Sequence, residues 1–166
     1  MSQFKQKKNA DDYGTEFEEK VLYINRCSKV VKGGRKFSFS ALILIGDGQG
    51  RIGYGFAKAN EVSDAIRKGT DAAKKNIIEF EFDGKTIPHE ITVDWHGARV
   101  MMKPAPEGTG VIAGSKVRAV LELGGVKNVV AKNLGSNNPL NQVGAAIKAL
   151  LSLRNRGQTL ANRGLA

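Results

Sequence analysis

The 166-residue chain holds a single cysteine, Cys27, so no disulfide can close within it. A lone thiol suits a reducing compartment, and the cytosol is the expected address. Cys27 also lacks metal-ligand companions at useful spacing, so it is expected to pack as a small hydrophobe. No apolar run approaches the roughly 18 residues of a membrane span, and Met1–Lys8 is polar where a secretory signal would be apolar. Neither span nor signal is expected. Acid is missing in two telling places: nothing after Glu122 is acidic although six bases follow it, and Arg26–Lys36 holds five bases and no acid.

What is present is positive charge. The chain has 26 Lys+Arg against 16 Asp+Glu, a formal charge of +10. Such an excess predicts an anionic partner, nucleic acid being the commonest. With 41% hydrophobic residues a real core can form, and the length suits one large domain or two small ones of about 70 residues.

Residues 1–14, including Lys5, Lys7, Lys8, Asp11 and Asp12, have no periodicity and read as a flexible tail. From Lys20 an alternation of Val21, Tyr23 and Cys27 with Leu22, Ile24 and Arg26 predicts a first strand feeding a basic loop, Arg26–Lys36. Phe37–Ile45 is a second strand; Gly46-Asp47-Gly48-Gln49-Gly50 turns into a third with Ile52, Tyr54 and Phe56 on one face. Asn60 is the expected cap of a helix whose stripe is Val62, Ala65, Ile66, Gly69, Ala72, Ala73 and Ile77. This β-β-β-α half spans 15–82.

Asp83-Gly84-Lys85 and Pro88 mark a junction, after which 87–153 reads ββαβα. A hairpin is expected from Glu90–Trp95 and Ala98–Lys103, turning at His96-Gly97, and then a loop from Pro104 to Gly110. Ser115 is expected to cap a helix that stops at Gly124-Gly125; Val126–Leu134 is a strand; Asn138-Pro139 opens the last helix, with Leu140, Val143, Ile147, Leu150 and Leu151 as its buried stripe. From Arg154 the chain, with Arg156 and Arg163, reads as a loose basic tail over 154–166.

Gly48-Gln49-Gly50-Arg51-Ile52-Gly53 matches G-x-G-x-x-G, but a dinucleotide site needs a helix after the motif and here a strand follows. Gly108–Lys116 does precede a helix, so its free amides with Lys116 and Arg118 suit a phosphate, yet the glycine-lysine-hydroxyl order of a P-loop is absent. His89 and His96 lack companion ligands, Trp95 and Tyr23 read as core or interface filler, and no catalytic set stands out. No cofactor, metal or enzymatic chemistry is expected. The basic loop is different. Gly33-Gly34 permits close backbone approach, Lys29, Lys32, Arg35 and Lys36 surround it, and Ser28, Ser38 and Ser40 add hydroxyls suited to phosphate or ribose.

Asn25–Phe39, then Gly46–Gly55, then Glu107–Gly114 and Gly135–Pro139 together closely resemble the family of the fifth protein of the bacterial small ribosomal subunit. The resemblance covers residues 16–152; the two tails depart from the family pattern. It implies an α+β protein of two small domains: a double-stranded-RNA-binding-like sheet with helix, and a ββαβα domain with a left-handed crossover. It implies binding to 16S ribosomal RNA, contact with the fourth and eighth small-subunit proteins, a place near the path of incoming messenger RNA, a cytoplasmic location in the subunit, and an influence on decoding accuracy. RNA-binding positions are expected at Arg26, Ser28, Lys29, Lys32, Gly33, Gly34, Arg35, Lys36, Ser38, Arg51, Gly53, Tyr54, Gly55 and Lys58. Ser28–Lys36 corresponds to the region where changes give spectinomycin resistance. Contact with the fourth protein is expected at Gly108, Thr109, Gly110, Lys116 and Arg118. The alternatives are a free-standing RNA-binding regulator and a small nucleotide-binding enzyme.

Overall fold

A computed structural model describes residues 17–80 and 85–164. The expected N-terminal tail and the Asp83-Gly84 turn lie outside these residues. The chain divides into two compact units, Met1–Asp47 with Arg51–Ile78 and Gly48–Gly50 with Glu79–Ala166. The architecture is α+β.

In the first unit, β1 (Glu18–Val31), β2 (Gly34–Gly46) and β3 (Arg51–Ala59) form an antiparallel meander, and α1 (Val62–Lys74) packs on one face. A short β4 (Ile77–Glu79) adds a fourth strand beside β3. Ile77 therefore belongs to this strand and not to the helix, since α1 stops at Lys74. The helix packs close because small residues meet. A Cβ at Gly53 would lie 2.6 Å from Ala73 O, one at Gly55 would run into Gly69 O, and one at Gly69 would lie 2.7 Å from Ile43 Cδ1. Ala41, Ile43, Ala59 and Ala65 form one buried cluster, and Ile45, Ala73 and Ile77 another. The cap falls at Glu61 and not at Asn60, with no side-chain hydrogen bond, and Asp64 supplies negative charge in the first turn instead.

The largest departure concerns the basic loop. Arg26–Lys36 is not a loop but the far end of a long hairpin: β1 runs to Val31, β2 starts at Gly34, and Lys32-Gly33 alone turns. Gly34, at φ 138, takes a conformation open to glycine. Nothing local in a run of charged residues announces its partner strand.

The second unit orders its strands β5 (Ile91–Trp95), β6 (Ala98–Pro104), β8 (Val129–Asn133) and β7 (Val111–Ile112), with β7 and β8 parallel. The β5–β6 hairpin turns at His96 (φ 44) and Gly97 (φ 83), the double positive φ of a type I′ turn. α2 (Ser115–Leu123) ends as expected: Val126 N–H donates to Leu121 O and Gly125 N–H to Glu122 O, a Schellman pair with Gly125 at φ 89. Its start differs, because the N-cap is Gly114 and no side chain caps it. α3 (Pro139–Leu151) opens as its sequence dictates, with Asn138 Oδ1 accepting from Leu140 N–H at 3.0 Å and proline in the first turn.

α3 lies against β5 and β6 and also meets α2, burying Val143, Ile147 and Leu150 with Val100, Met102 and Val120. Gly144 makes room for Trp95, whose Nε1 would be 2.5 Å from a Cβ there. Trp95 is thus half-buried packing. Two short elements were not expected: β7, inside the glycine-rich segment, and α4 (Arg156–Asn162), within the stretch read as a loose tail. Thr159, donating through both N–H and Oγ1 to Asn155 O, ties the first turn of α4.

Candidate nucleic-acid interface

Period two decides where each base of the β1–β2 hairpin goes. The register pairs Arg26 with Phe39, Ser28 with Phe37 and Val30 with Arg35, all on the face that α1 occupies further down. Lys29 pairs with Lys36 and Cys27 with Ser38 on the opposite face. Lys32 stands at the turn. Cations therefore ring the projecting end of the hairpin on both faces rather than crowding one loop.

They are exposed and unneutralised. Lys29, Lys32, Arg35, Lys36 and Lys58 have no ion-pair partner among the described residues. Arg26 is placed by its neighbour, its guanidinium carbon 3.7 Å from the centre of the Phe37 ring, a cation–π contact that stiffens a strand with little else to pack on. A Cβ at Gly33 or Gly34 would meet nothing within 4 Å, so the turn is open to close approach.

Three expected RNA contacts have other work. Arg51 is held by Asp47, Nε to Oδ2 at 2.7 Å with its backbone N–H on Oδ1 at 3.1 Å, and its side chain is only 17% exposed. That ion pair staples the β2–β3 turn and leaves little charge to offer. Gly53 and Gly55 lie beneath α1 and serve its packing. Tyr54 is half-buried, Ser38 is half-buried, and Ser28 and Lys58 are exposed.

In the second unit Gly108 (φ 90) and Gly110 (φ 74) shape the loop before β7, and Gly110 N–H donates to Asn128 Oδ1 at 3.1 Å. Thr109 N–H closes a turn on Pro106 O. Lys116 and Arg118, on α2, line a cleft of about 560 Å³ together with Lys132 and Asn133 of β8. Lys132 escaped the sequence reading; its signal is the outward position between buried Ala131 and half-buried Asn133 on an alternating strand. Gly108–Gly110 do not line this cleft.

One exposed pair outside both regions is electrostatically marked. Arg99 grips Asp94 in a fork, Nε to Oδ1 at 2.6 Å and Nη2 to Oδ2 at 3.0 Å. These hydrogen bonds hold the Asp94 carboxyl below its ordinary range and raise Arg99.

Two protein-family descriptions match this architecture: "Ribosomal protein S5, N-terminal domain" over residues 17–81 and "Ribosomal protein S5, C-terminal domain" over 93–163. Small ribosomal subunit protein uS5 of Protochlamydia amoebophila is 66% identical over 159 residues, covering 96% of this chain and 95% of the relative. The chain belongs to the ribosomal protein S5 family. The uS5 proteins of Chlamydia abortus (66% identical over 149 residues, 89% of this chain and 90% of theirs) and Chlamydia pneumoniae (62% over 152 residues, 91% and 92%) are similar to it as well. The S5 N-terminal description spans the hairpin, α1 and the ion-paired turn, and the S5 C-terminal description spans the cleft.

Proposed function

We propose that the chain is a structural, non-catalytic constituent of the cytoplasmic small ribosomal subunit that binds 16S ribosomal RNA and supports subunit assembly and decoding accuracy. The observation that carries this reading is the hairpin end, where Arg26, Lys29, Lys32, Arg35 and Lys36 project without one acid among them. Two paired strands hold these charges at fixed spacing, so the cost of ordering them is met during folding and not on binding. Each phosphate they neutralise releases counterions, and salt then weakens binding with a slope of about −0.9 per contact on a duplex.

The RNA-binding set on this reading is Arg26, Ser28, Lys29, Lys32, Gly33, Gly34, Arg35, Lys36, Ser38, Tyr54 and Lys58. The second unit makes the protein contacts. Gly108, Thr109, Gly110, Lys116 and Arg118 meet the fourth small-subunit protein, the eighth is a further neighbour, and incoming messenger RNA passes close by. Sedimentation of cell extract checks the assignment: the chain should travel with small subunits, and a pool confined to the soluble fractions would make it a free-standing regulator. Alanine at Lys29, Lys32, Arg35 and Lys36 together should lower affinity for ribosomal RNA and flatten its salt dependence. An unchanged slope removes the hairpin from the interface.

A further inference from the structure

We propose, building on the RNA-binding reading above, that part of the sheet face turned away from α1 takes unpaired nucleotides, Tyr23 and Phe56 stacking bases while Lys36 and Lys58 hold phosphates. That part runs from the row of Tyr23, Leu42 and Phe56 toward the turn, beyond the fully buried Leu44 and Ile52. The register pairs Tyr23 with Leu42 and Leu42 with Phe56, so these three side chains form one row across β1, β2 and β3. α1 sits on the other face, over Ile43, Gly53 and Gly55.

A bulge creates the row. In a regular strand Tyr23 would share the α1 face with Val21, which pairs with Ile43; the register shift between Val21 and Tyr23 sends the ring to the opposite side. Leu42 is 2% exposed and makes a floor, whereas Tyr23 is 44% exposed and Phe56 53%. Two half-exposed rings thus stand on either side of a covered leucine.

The surroundings say what such a face takes. Lys58 lies in the next row, paired with Ser40, and Lys29 with Lys36 lies two rows beyond. From Tyr23 to the turn and back to Leu42, and from Phe56 to Ala59, there is no acidic residue. Exposed rings with Lys58 in the adjacent row and Lys29 and Lys36 further along suit bases and phosphates, whereas a protein partner would have to bring its own acids. The two rings lie about 10 Å apart, two strand spacings. That exceeds the roughly 3.4 Å step of stacked bases, so the strand they hold is splayed. A continuous duplex keeps its bases inside and offers these rings nothing.

The test uses the full chain, a fluorescein-labelled unstructured RNA strand and a duplex RNA of equal length, read by anisotropy. With Tyr23→Leu and Phe56→Leu together, single-strand affinity should fall about ten-fold or more while duplex affinity and both salt slopes hold. The ring-preserving pair Tyr23→Phe and Phe56→Tyr should keep wild-type affinity, which separates lost stacking from a damaged sheet. Equal loss on both RNAs overturns the stacking assignment. So does no loss from the leucine pair where Lys36→Ala with Lys58→Ala weakens both RNAs, an outcome that leaves the RNA-binding reading standing. If the wild type binds neither RNA, that reading itself fails. A benzoylphenylalanine at position 56 in assembled subunits should cross-link to RNA, and capture of a protein there overturns the proposal.

Discussion

The two ends of the β1–β2 hairpin belong to the same pair of strands, yet they live in different worlds. At its base, Ala41–Ile45 of β2 is buried on both faces, each residue 2% exposed or less. Toward its turn the hairpin exposes Val30, Phe37 and five cations, and Arg26 packs over Phe37 among them. The base carries stability and the far end carries charge. The lesson is mechanical: a rigid base lets strand pairing extend past the core and hold cations away from it. If that division is right, substitutions at the base should unfold the protein and those at the end should not.

The largest effect is expected at Ile43, fully buried beneath Gly69. Ile43→Ala should cost about 4 kcal/mol of unfolding free energy in urea titration, from lost burial and the cavity left behind. Gly55→Ala tests the close approach of α1 from the opposite direction. Its methyl would drive into the Gly69 carbonyl, and a loss of about 3 kcal/mol is expected in the same titration. The far end should behave inversely. Replacing Lys29, Lys32, Arg35 and Lys36 by alanine should leave stability within about 0.5 kcal/mol while the RNA salt slope shrinks by about one unit per lost phosphate contact. A large stability loss there would erase the comparison.

Phe37→Leu keeps apolar bulk but removes the ring beneath Arg26, so a loss of about 0.5–1 kcal/mol is expected by thermal unfolding. The smallest effect lies at the Asp94–Arg99 fork in the second unit. Asp94 is depressed in the folded state, so its contribution is present above the ordinary aspartate pKa of about 3.9 and fades as pH falls through the lower folded value. Because both side chains are exposed, Asp94→Asn should flatten the acid limb of a stability–pH profile only slightly. No change at neutral salt but a visible change at low salt would be the expected signature.

Much of this was written locally. His96-Gly97 between two alternating runs gave its hairpin, Asn138-Pro139 opened α3, and Gly124-Gly125 closed α2, because each acts through backbone preferences of two or three neighbouring residues. The charge of the site was equally plain, since a run of five bases without an acid needs no fold to be read. Gly53 and Gly55 were the opposite case. A glycine in a strand can mean a turn, a ligand's approach or a helix's, and only the packing of α1 chose among these. Arg51 looked like a free cation until the turn brought Asp47 beneath it.

By itself, then, the sequence determined the elements bounded by strong turn and cap residues, the sign of the partner's charge, and the family to which the chain belongs. Tertiary structure decided what depends on residues meeting from afar. It made the basic stretch a paired hairpin end, bulged β1 to turn Tyr23 outward, and formed the short β4 and β7. It also separated the open cations of the hairpin end from Arg51, which Asp47 already matches. The physical reason is the same in each instance: caps and turns are satisfied within a few residues, whereas strand pairing, close packing and ion pairing need a partner that local sequence cannot name.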